Sequence, residues 1–492
     1  VPFAIDPEIL TLSVIIILIA VDAAVRVFAL FYLPRNRRPQ TATAWLLAIF
    51  FLPYLGILLF LLLGSARLPR SRRLKQREIN AYILETTDGI ERVKRDAPWP
   101  TWLGPIVELN RTLGAMPLVG GNAAVMYSDN QVALDAMTEA IRQAKRTVHA
   151  EFYILSLDEV TAPFFDALDD AVKRGVTVRV LLDHLGNWQY PGFTRTKKRL
   201  TEMGAQWHLM LPFQPLRGRI QRPDLRNHRK LLVVDGDIAF TGSANVIETG
   251  YQRRRNHRRG LHWKDYMARF EGPVVAGIDA IFVTDWYSET DELLEREAAR
   301  PTATSDGEGE LDCQVVPSGP GFSGENNLRL FNSLVYAAQK RIILTSPYFV
   351  PDDSMLYAIT TAAQSGLQVE LIVSEIGDQF LVYHAQRSYY EALLKAGVRI
   401  FLYKKPTILH AKHFTIDDEV SVIGSSNMDM RSFTLDLEVS VMVRGGDFLQ
   451  QLRAIEDDYR ANSREITLDE WNARPALSQA VDTIARLTAA LQ

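Results

Sequence analysis

Cysteine is all but absent: the 492-residue chain has one, Cys313, which rules out an intrachain disulfide and fits a reducing compartment. Nothing near it in sequence would lower a thiol pKa. It lies in the apolar stretch from Leu311 to Val316, so it reads as an ordinary strand thiol rather than a nucleophile. An excess of positive charge is also missing. The formal net charge is −3, which argues against a dedicated nucleic-acid binder. The nine histidines form no His-Glu-x-x-His pattern and no cysteine cluster exists, so neither a metal site nor another cofactor is implied. A Gly-x-x-x-x-Gly-Lys loop for nucleotide phosphates does not occur either.

Long apolar runs are present, both near the N-terminus. Ile9 to Leu33 is largely apolar, and Thr41 to Leu63 is 23 residues without a charge. At about 1.5 Å per residue the second run reaches about 34 Å, against about 30 Å for a bilayer's hydrocarbon core. Pro53 is expected to kink it, which membrane helices tolerate. Asp22 and Arg26 interrupt the first run, but they lie four apart on one helical face and can pair. A cleaved signal peptide fits poorly, since no Lys or Arg precedes Leu10 and a second span follows at once. The expectation is a two-helix transmembrane hairpin over residues 1–66. Arg35, Arg37 and Arg38 occupy its turn, while Arg67, Arg70, Arg72, Arg73, Lys75 and Arg77 follow it. That imbalance favours a cytoplasmic position for the rest of the chain. Residues 67–120 read as a basic juxtamembrane connector, able to hold anionic lipid headgroups or simply to stop transfer.

Beyond it, helix-like and strand-like runs alternate. Ala133 to Ala144 has helical periodicity, Val148 to Leu155 reads as a strand, Phe164 to Arg174 as a helix and Val176 to Leu182 as a strand. The order recurs with Leu328 to Gln339, Arg341 to Val350, Ser354 to Gln364 and Val369 to Val373. Gly175 and Gly366 stand where a helix gives way to a strand in each copy. The fold class is therefore α/β, with one sandwich domain over 121–297 and a second over 311–492. Residues 298–310 are polar and rich in Gly and Pro, so they read as the linker.

Inside each domain lies the same polar phrase. His228, Lys230, Asp235, Gly242, Ser243 and Asn245 recur as His410, Lys412, Asp417, Gly424, Ser425 and Asn427, every pair 182 apart (410−228, 412−230, 417−235, 424−242, 425−243, 427−245). A lone His-x-Lys carries almost no information; a doubled one in constant register, each followed by Gly-Ser-x-Asn, marks a phosphotransfer site. In an extended strand, residues two apart face the same way, so each histidine projects with its lysine. Cleaving a phosphodiester takes a nucleophile, a proton donor for the leaving alcohol, and positive charge on the non-bridging oxygens. One imidazole cannot be nucleophile and acid in the same step, but two facing copies supply both. The lysines with Ser243, Asn245, Ser425 and Asn427 would ring the phosphate. Asp235 and Asp417 would brace the strand ends. Asp265 and Glu438, 20 residues after Asn245 and 11 after Asn427, are candidates to orient the histidines, or plain surface carboxylates. His413 points away from His410 and reads as structural. Arg253 to Arg259 is either an anionic-headgroup dock or a solvated basic loop.

These motifs resemble the phospholipase D superfamily, whose signature is His-x-Lys-x(4)-Asp followed by Gly-Ser-x-Asn. With two copies behind an apolar hairpin, the chain is similar within it to the bacterial cardiolipin synthase family. The likeness includes Glu151-Phe-Tyr-Ile154, Arg226 to Lys230, Trp263-Lys-Asp265, Thr345 to Asp352 and Asn427 to Phe433; Asp436 stands where the family usually has Asn. The resemblance implies two halves sharing one site at a bacterial inner membrane. It implies transfer of a phosphatidyl group between phosphatidylglycerol molecules, giving cardiolipin and glycerol through a phosphohistidine. His228 is favoured as nucleophile and His410 as acid and base. A membrane-tethered phospholipase D releasing phosphatidic acid is the alternative.

Overall fold

The computed structural model describes residues 7–35, 37, 39–64, 67–87, 99–214, 219–220, 222–294, 311–322 and 324–488. The expected linker at 298–310 and part of the basic connector lie outside the described residues. The chain divides into two compact units, Val1–Arg67 and Leu68–Gln492.

In the first unit, a helix spans Pro7–Tyr32, and its portion Ser13–Tyr32 is long and apolar enough to cross a membrane by length and composition. Asp22 and Arg26 do pair, at 3.0 Å. The second expected span is divided into helices Pro39–Phe51 and Pro53–Leu63, each too short to cross alone. Pro53 is the cause. It has no amide to donate, crowds the preceding turn and starts a new helix at its first position, with Leu52 turned out of helical backbone (φ −135°, ψ 67°). Ala29, Leu33 and Ile49 form a small core, and Trp45 meets Phe60 edge-on at 5.4 Å. Most other apolar side chains of this unit, such as Ile17, Phe31 and Leu61, are exposed.

The second unit is built on one mixed sheet of fifteen strands. From its centre outwards, the first half contributes Leu118–Tyr127, Met267–Glu271, Ile238–Gly242, Lys230–Val234, Thr147–Phe152, Thr177–Asp183 and Gln206–Met210. The second half follows the same order with Leu311–Ser318, Glu438–Arg444, Val420–Gly424, His413–Ile416, Arg341–Thr345, Gln368–Ser374 and Arg399–Tyr403, then adds Ser463–Ile466 at the edge. The two central strands pair antiparallel, with Leu118 opposite Gln314 and Val119 opposite Cys313. Two sheets expected from sequence are thus one. In each half the three strands away from the centre that are joined by helix crossovers run parallel, as that connection requires.

Local chemistry sets these elements. Asp129 accepts the amides of Gln131 and Val132 and so starts helix Asn130–Gln143. Gly175 (φ 88°) and Gly366 (φ 94°) take the left-handed turn between helix and strand in their respective halves. The apolar interior forms one cluster largely within each half and two drawing on both, the larger of which includes Phe270, Phe282 and Trp286 alongside Val439 and Phe448. Cys313 is fully buried in that shared cluster, and burial pushes its thiol pKa up, so it stays an unreactive strand thiol. Part of the basic flank is used internally: Arg72 pairs with Glu289 at 2.7 Å and Lys75 with Asp291 at 2.5 Å.

Candidate active site

Each histidine sits just before a strand, not within it. His228 precedes Lys230–Val234, and His410 lies between Thr407–Leu409 and His413–Ile416. What fixes them is the opposite half. The amide of His228 donates to the carbonyl of Leu437 at 2.9 Å, and that of His410 to Lys264 at 2.8 Å. Short stretches of pairing flank both points: Asn227 bridges to Leu437, and Thr407–Leu409 runs parallel to His262–Lys264. Both lysines fold back identically, with Nζ 2.6 Å from the carbonyl oxygen of the histidine two residues earlier. Lys412 Nζ also lies 3.1 Å from each ring nitrogen of His410.

The two carboxylates are exchanged between the halves. His228 Nδ1 faces Glu438 at 3.0 Å, and His410 Nδ1 faces Asp265 at 2.8 Å. Each acid immediately follows the residue whose carbonyl holds the backbone of that same histidine. An Nδ1–H donated to a carboxylate fixes the tautomer and leaves Nε2 with its lone pair. The sequence marked Asp265 and Glu438 as orienting candidates, but not this cross-pairing.

The serines expected in the ring around phosphate also bond to the acids or their neighbours. Ser425 Oγ donates to Glu438, Ser432 Oγ donates to the other oxygen of Glu438 at 2.8 Å, and Ser243 Oγ accepts the Tyr266 amide at 3.0 Å while bonding Asp265. They fix the acids that fix the histidines. Asn245 donates to the Tyr251 hydroxyl at 3.0 Å and accepts the Ile154 amide, whereas the buried Asn427 Oδ1 has no partner. Asp235 accepts the amides of Lys145, Arg146 and Thr147, and Asp417 those of Gln339, Lys340 and Arg341. Both aspartates adopt left-handed backbone (φ 56° and 51°) at the strand's end.

His228, Lys230, His410 and Lys412 are all buried, and His228, Lys230 and His410 each feel the charge of others in the set. Burial lowers the His228 pKa well below the ordinary imidazole value, and Lys230 and Lys412 lower it further. Burial also lowers His410, but Asp265 pulls it back. Desolvation and mutual repulsion bring Lys230 down to about 7, and desolvation brings Lys412 to about 8. The acids diverge. Burial raises Glu438 to about 7, whereas at Asp265 burial is outweighed by His410 and Lys412, which hold it below the usual carboxylate range.

Sequence reasoning missed the second layer. Tyr153 packs edge-on to His228, ring centres 4.9 Å apart, and Tyr348 stands 6.3 Å from His410. Arg229 pairs with buried Asp285 and donates to the Glu438 carbonyl at 3.1 Å, tying the first motif to the second half. Asn227 donates to Glu151 at 2.7 Å. The segments holding Glu151 and Arg229 stood out in sequence, yet nothing there showed that one would touch the other's neighbour. His413 is fully enclosed, with Tyr266 and Tyr459 against its ring, away from His410.

With this geometry in place, comparison with known proteins is decisive. Residues 137–286 and 332–458 match the family described as "Cardiolipin synthase, PLD-like domain". The chain belongs to the cardiolipin synthase family of phospholipase D-like proteins. Residues 24–65 additionally match a phospholipase D-nuclease N-terminal family. Cardiolipin synthase A of Proteus mirabilis (strain HI4320) is 32% identical over 465 residues, covering 91% of this chain and 92% of that one. Cardiolipin synthase A of Serratia proteamaculans (strain 568) is 32% identical over 480 residues, covering 92% and 93%. Among solved structures, phosphatidylserine synthase of Haemophilus influenzae Rd KW20 superposes with a TM-score of 0.59 at 15% identity, over 79% of this chain and all of that one, a likeness of fold alone.

Proposed function

We propose that the chain makes cardiolipin by moving a phosphatidyl group from one phosphatidylglycerol to another, at one active site to which both halves contribute. The observation that carries this reading is the exchange of carboxylates, His228 with Glu438 and His410 with Asp265, within one buried set of histidines and lysines. Full-length similarity to cardiolipin synthase A supports the substrate.

The electrostatic difference between the halves supports the roles. His228, kept neutral beside an acid of raised pKa, attacks phosphorus through Nε2 and forms the P–N bond. The P–O bond to glycerol breaks, and the departing oxygen takes a proton from His410, whose protonated form the ionised Asp265 stabilises. The hydroxyl of a second phosphatidylglycerol then gives its proton to His410 and attacks phosphorus. The P–N bond breaks, His228 returns neutral, and cardiolipin leaves. Lys230, Lys412, Asn245 and Asn427 hold the non-bridging oxygens as charge develops. Ser13–Tyr32 and the two shorter helices after it form a membrane hairpin in this reading, with the catalytic part on the cytoplasmic side.

The test is product analysis of the full chain in mixed micelles with phosphatidylglycerol. Cardiolipin and glycerol should appear together; phosphatidic acid without cardiolipin would instead mean a hydrolase. Quenching in denaturant at neutral pH should trap a phosphatidyl-enzyme in His410→Ala and none in His228→Ala. The reverse pattern would exchange the two roles.

A further inference from the structure

Cardiolipin carries two phosphates joined through a glycerol unit. A site that makes it must place a second phosphodiester a glycerol's length from the reacting phosphorus, whereas a hydrolase needs no such place. The halves differ where this place would be. Asn245 to Asp265 spans nine residues more than Asn427 to Glu438 (20 against 11), and the longer segment contains the helix Arg254–Arg258. That segment forms one wall of a cavity of about 400 Å³, lined by Arg253, Arg255 and Arg259. The opposite wall comes from the second half, with Asp378, Phe380 and His384.

Side-chain contacts lead from the second-half wall to His410 and from the first-half wall to Asn245. Asp378 accepts the hydroxyl of Tyr348 at 2.9 and 3.0 Å, and Tyr348 faces His410. On the first-half wall Arg253 stacks on Tyr190, which meets Tyr251, which holds the amide of Asn245. Arg253 is further fixed by Gln189 at 2.7 Å. Arg255 and Arg259, however, have no carboxylate partner among the described residues, although the one acid of the lining, Asp378, is turned to Tyr348. Uncompensated guanidinium groups on a concave wall suit a phosphate. Phe380 of the lining is 67% exposed, its neighbour Leu381 51%, and Trp188, next to Gln189, 69%. Large apolar side chains beside free arginines suit a lipid rather than a free phosphate.

We propose that this cavity is the subsite for the acceptor phosphatidylglycerol, an inference that rests on the transferase reading above. Arg255 and Arg259 hold its phosphodiester, its glycerol headgroup lies across Asp378 with the reacting hydroxyl towards His410, and its acyl chains leave past Phe380 and Leu381.

The discriminating variant is Arg255→Gln/Arg259→Gln, assayed as the full chain in phosphatidylglycerol micelles for two reactions. Exchange of labelled free glycerol into phosphatidylglycerol uses the covalent step but no acceptor lipid. Cardiolipin formation uses both. Exchange should persist near the wild-type rate while cardiolipin formation falls roughly tenfold or more, mainly through KM for the lipid acceptor. Lysines at the same two positions should restore most of it. Undiminished cardiolipin formation, or an equal fall in both reactions, would overturn the subsite. Absence of both reactions in the unaltered chain would sink the transferase reading itself.

Discussion

The two halves of the catalytic unit carry the same parts in the same order, yet they are not equivalent. In both, a lysine caps its own histidine's carbonyl, an aspartate gathers three amides at the strand end, and a serine secures an acid. The differences lie in electrostatics and at the mouth. Asp265 is held ionised beside His410 while Glu438 is pushed up beside His228, and only the first half carries the longer basic segment. Duplication explains the chemistry the halves share. Divergence is what the proposed mechanism uses, one imidazole attacking while its counterpart shuttles a proton.

Breaking the symmetry at the histidines should have the largest effect. Replacing either with alanine should lower turnover by about five to six orders of magnitude, with covalent intermediate surviving only where His228 remains. Next come the exchanged acids. Asp265→Asn and Glu438→Gln should each cost roughly a hundredfold to ten-thousandfold in kcat. Glu438→Gln should slow formation of the trapped intermediate, and Asp265→Asn its breakdown as well; identical single-turnover behaviour would erase the proposed difference between the halves.

Acidity probes the same contrast more gently. Burial and the neighbouring lysines hold the His228 pKa well below the ordinary imidazole value, so the acid fall of kcat/KM that comes with protonation of His228 should lie well to the acid side of a free imidazole's. Lysines with lowered pKa values lose charge as pH rises, so an alkaline decline should begin between about 7 and 8 in the free enzyme. Lys412→Arg, always charged, should move that decline upwards. The smallest effect concerns stability alone. Asp235→Ala and Asp417→Ala each orphan three amides and should destabilise by about 2–3 kcal/mol in denaturant titrations, equally in the two halves.

How much of this was legible in the chain follows from range. Features written locally could be read: the 182-residue offset of the motifs, glycines 175 and 366 at their turns, the α/β alternation, the lone strand cysteine. Features that depend on partners far apart could not. The spacing of Asp265 and Glu438 made them candidates, but a residue 210 positions from its histidine leaves no periodic trace. The bond from Ser425 to Glu438 was equally invisible, because nothing in sequence joins the two. The merging of two sheets into one depends on pairing between Leu118–Tyr127 and Leu311–Ser318, which no pattern within either strand announces. The apolar run from Thr41 to Leu63 was legible in composition, yet its division at Pro53 is a backbone matter that composition understates.

The carboxylate that steadies His228 is encoded 210 residues after it. While the chain is still being synthesised, the first half emerges with its imidazole unpaired and its strand edge at Leu118–Tyr127 open. A polypeptide released early, by a stalled ribosome or a premature stop, would hold the proposed nucleophile without the acid paired with its Nδ1. In the proposed mechanism such a fragment could not complete a transfer, because Glu438 and the second histidine both lie in the last third of the chain.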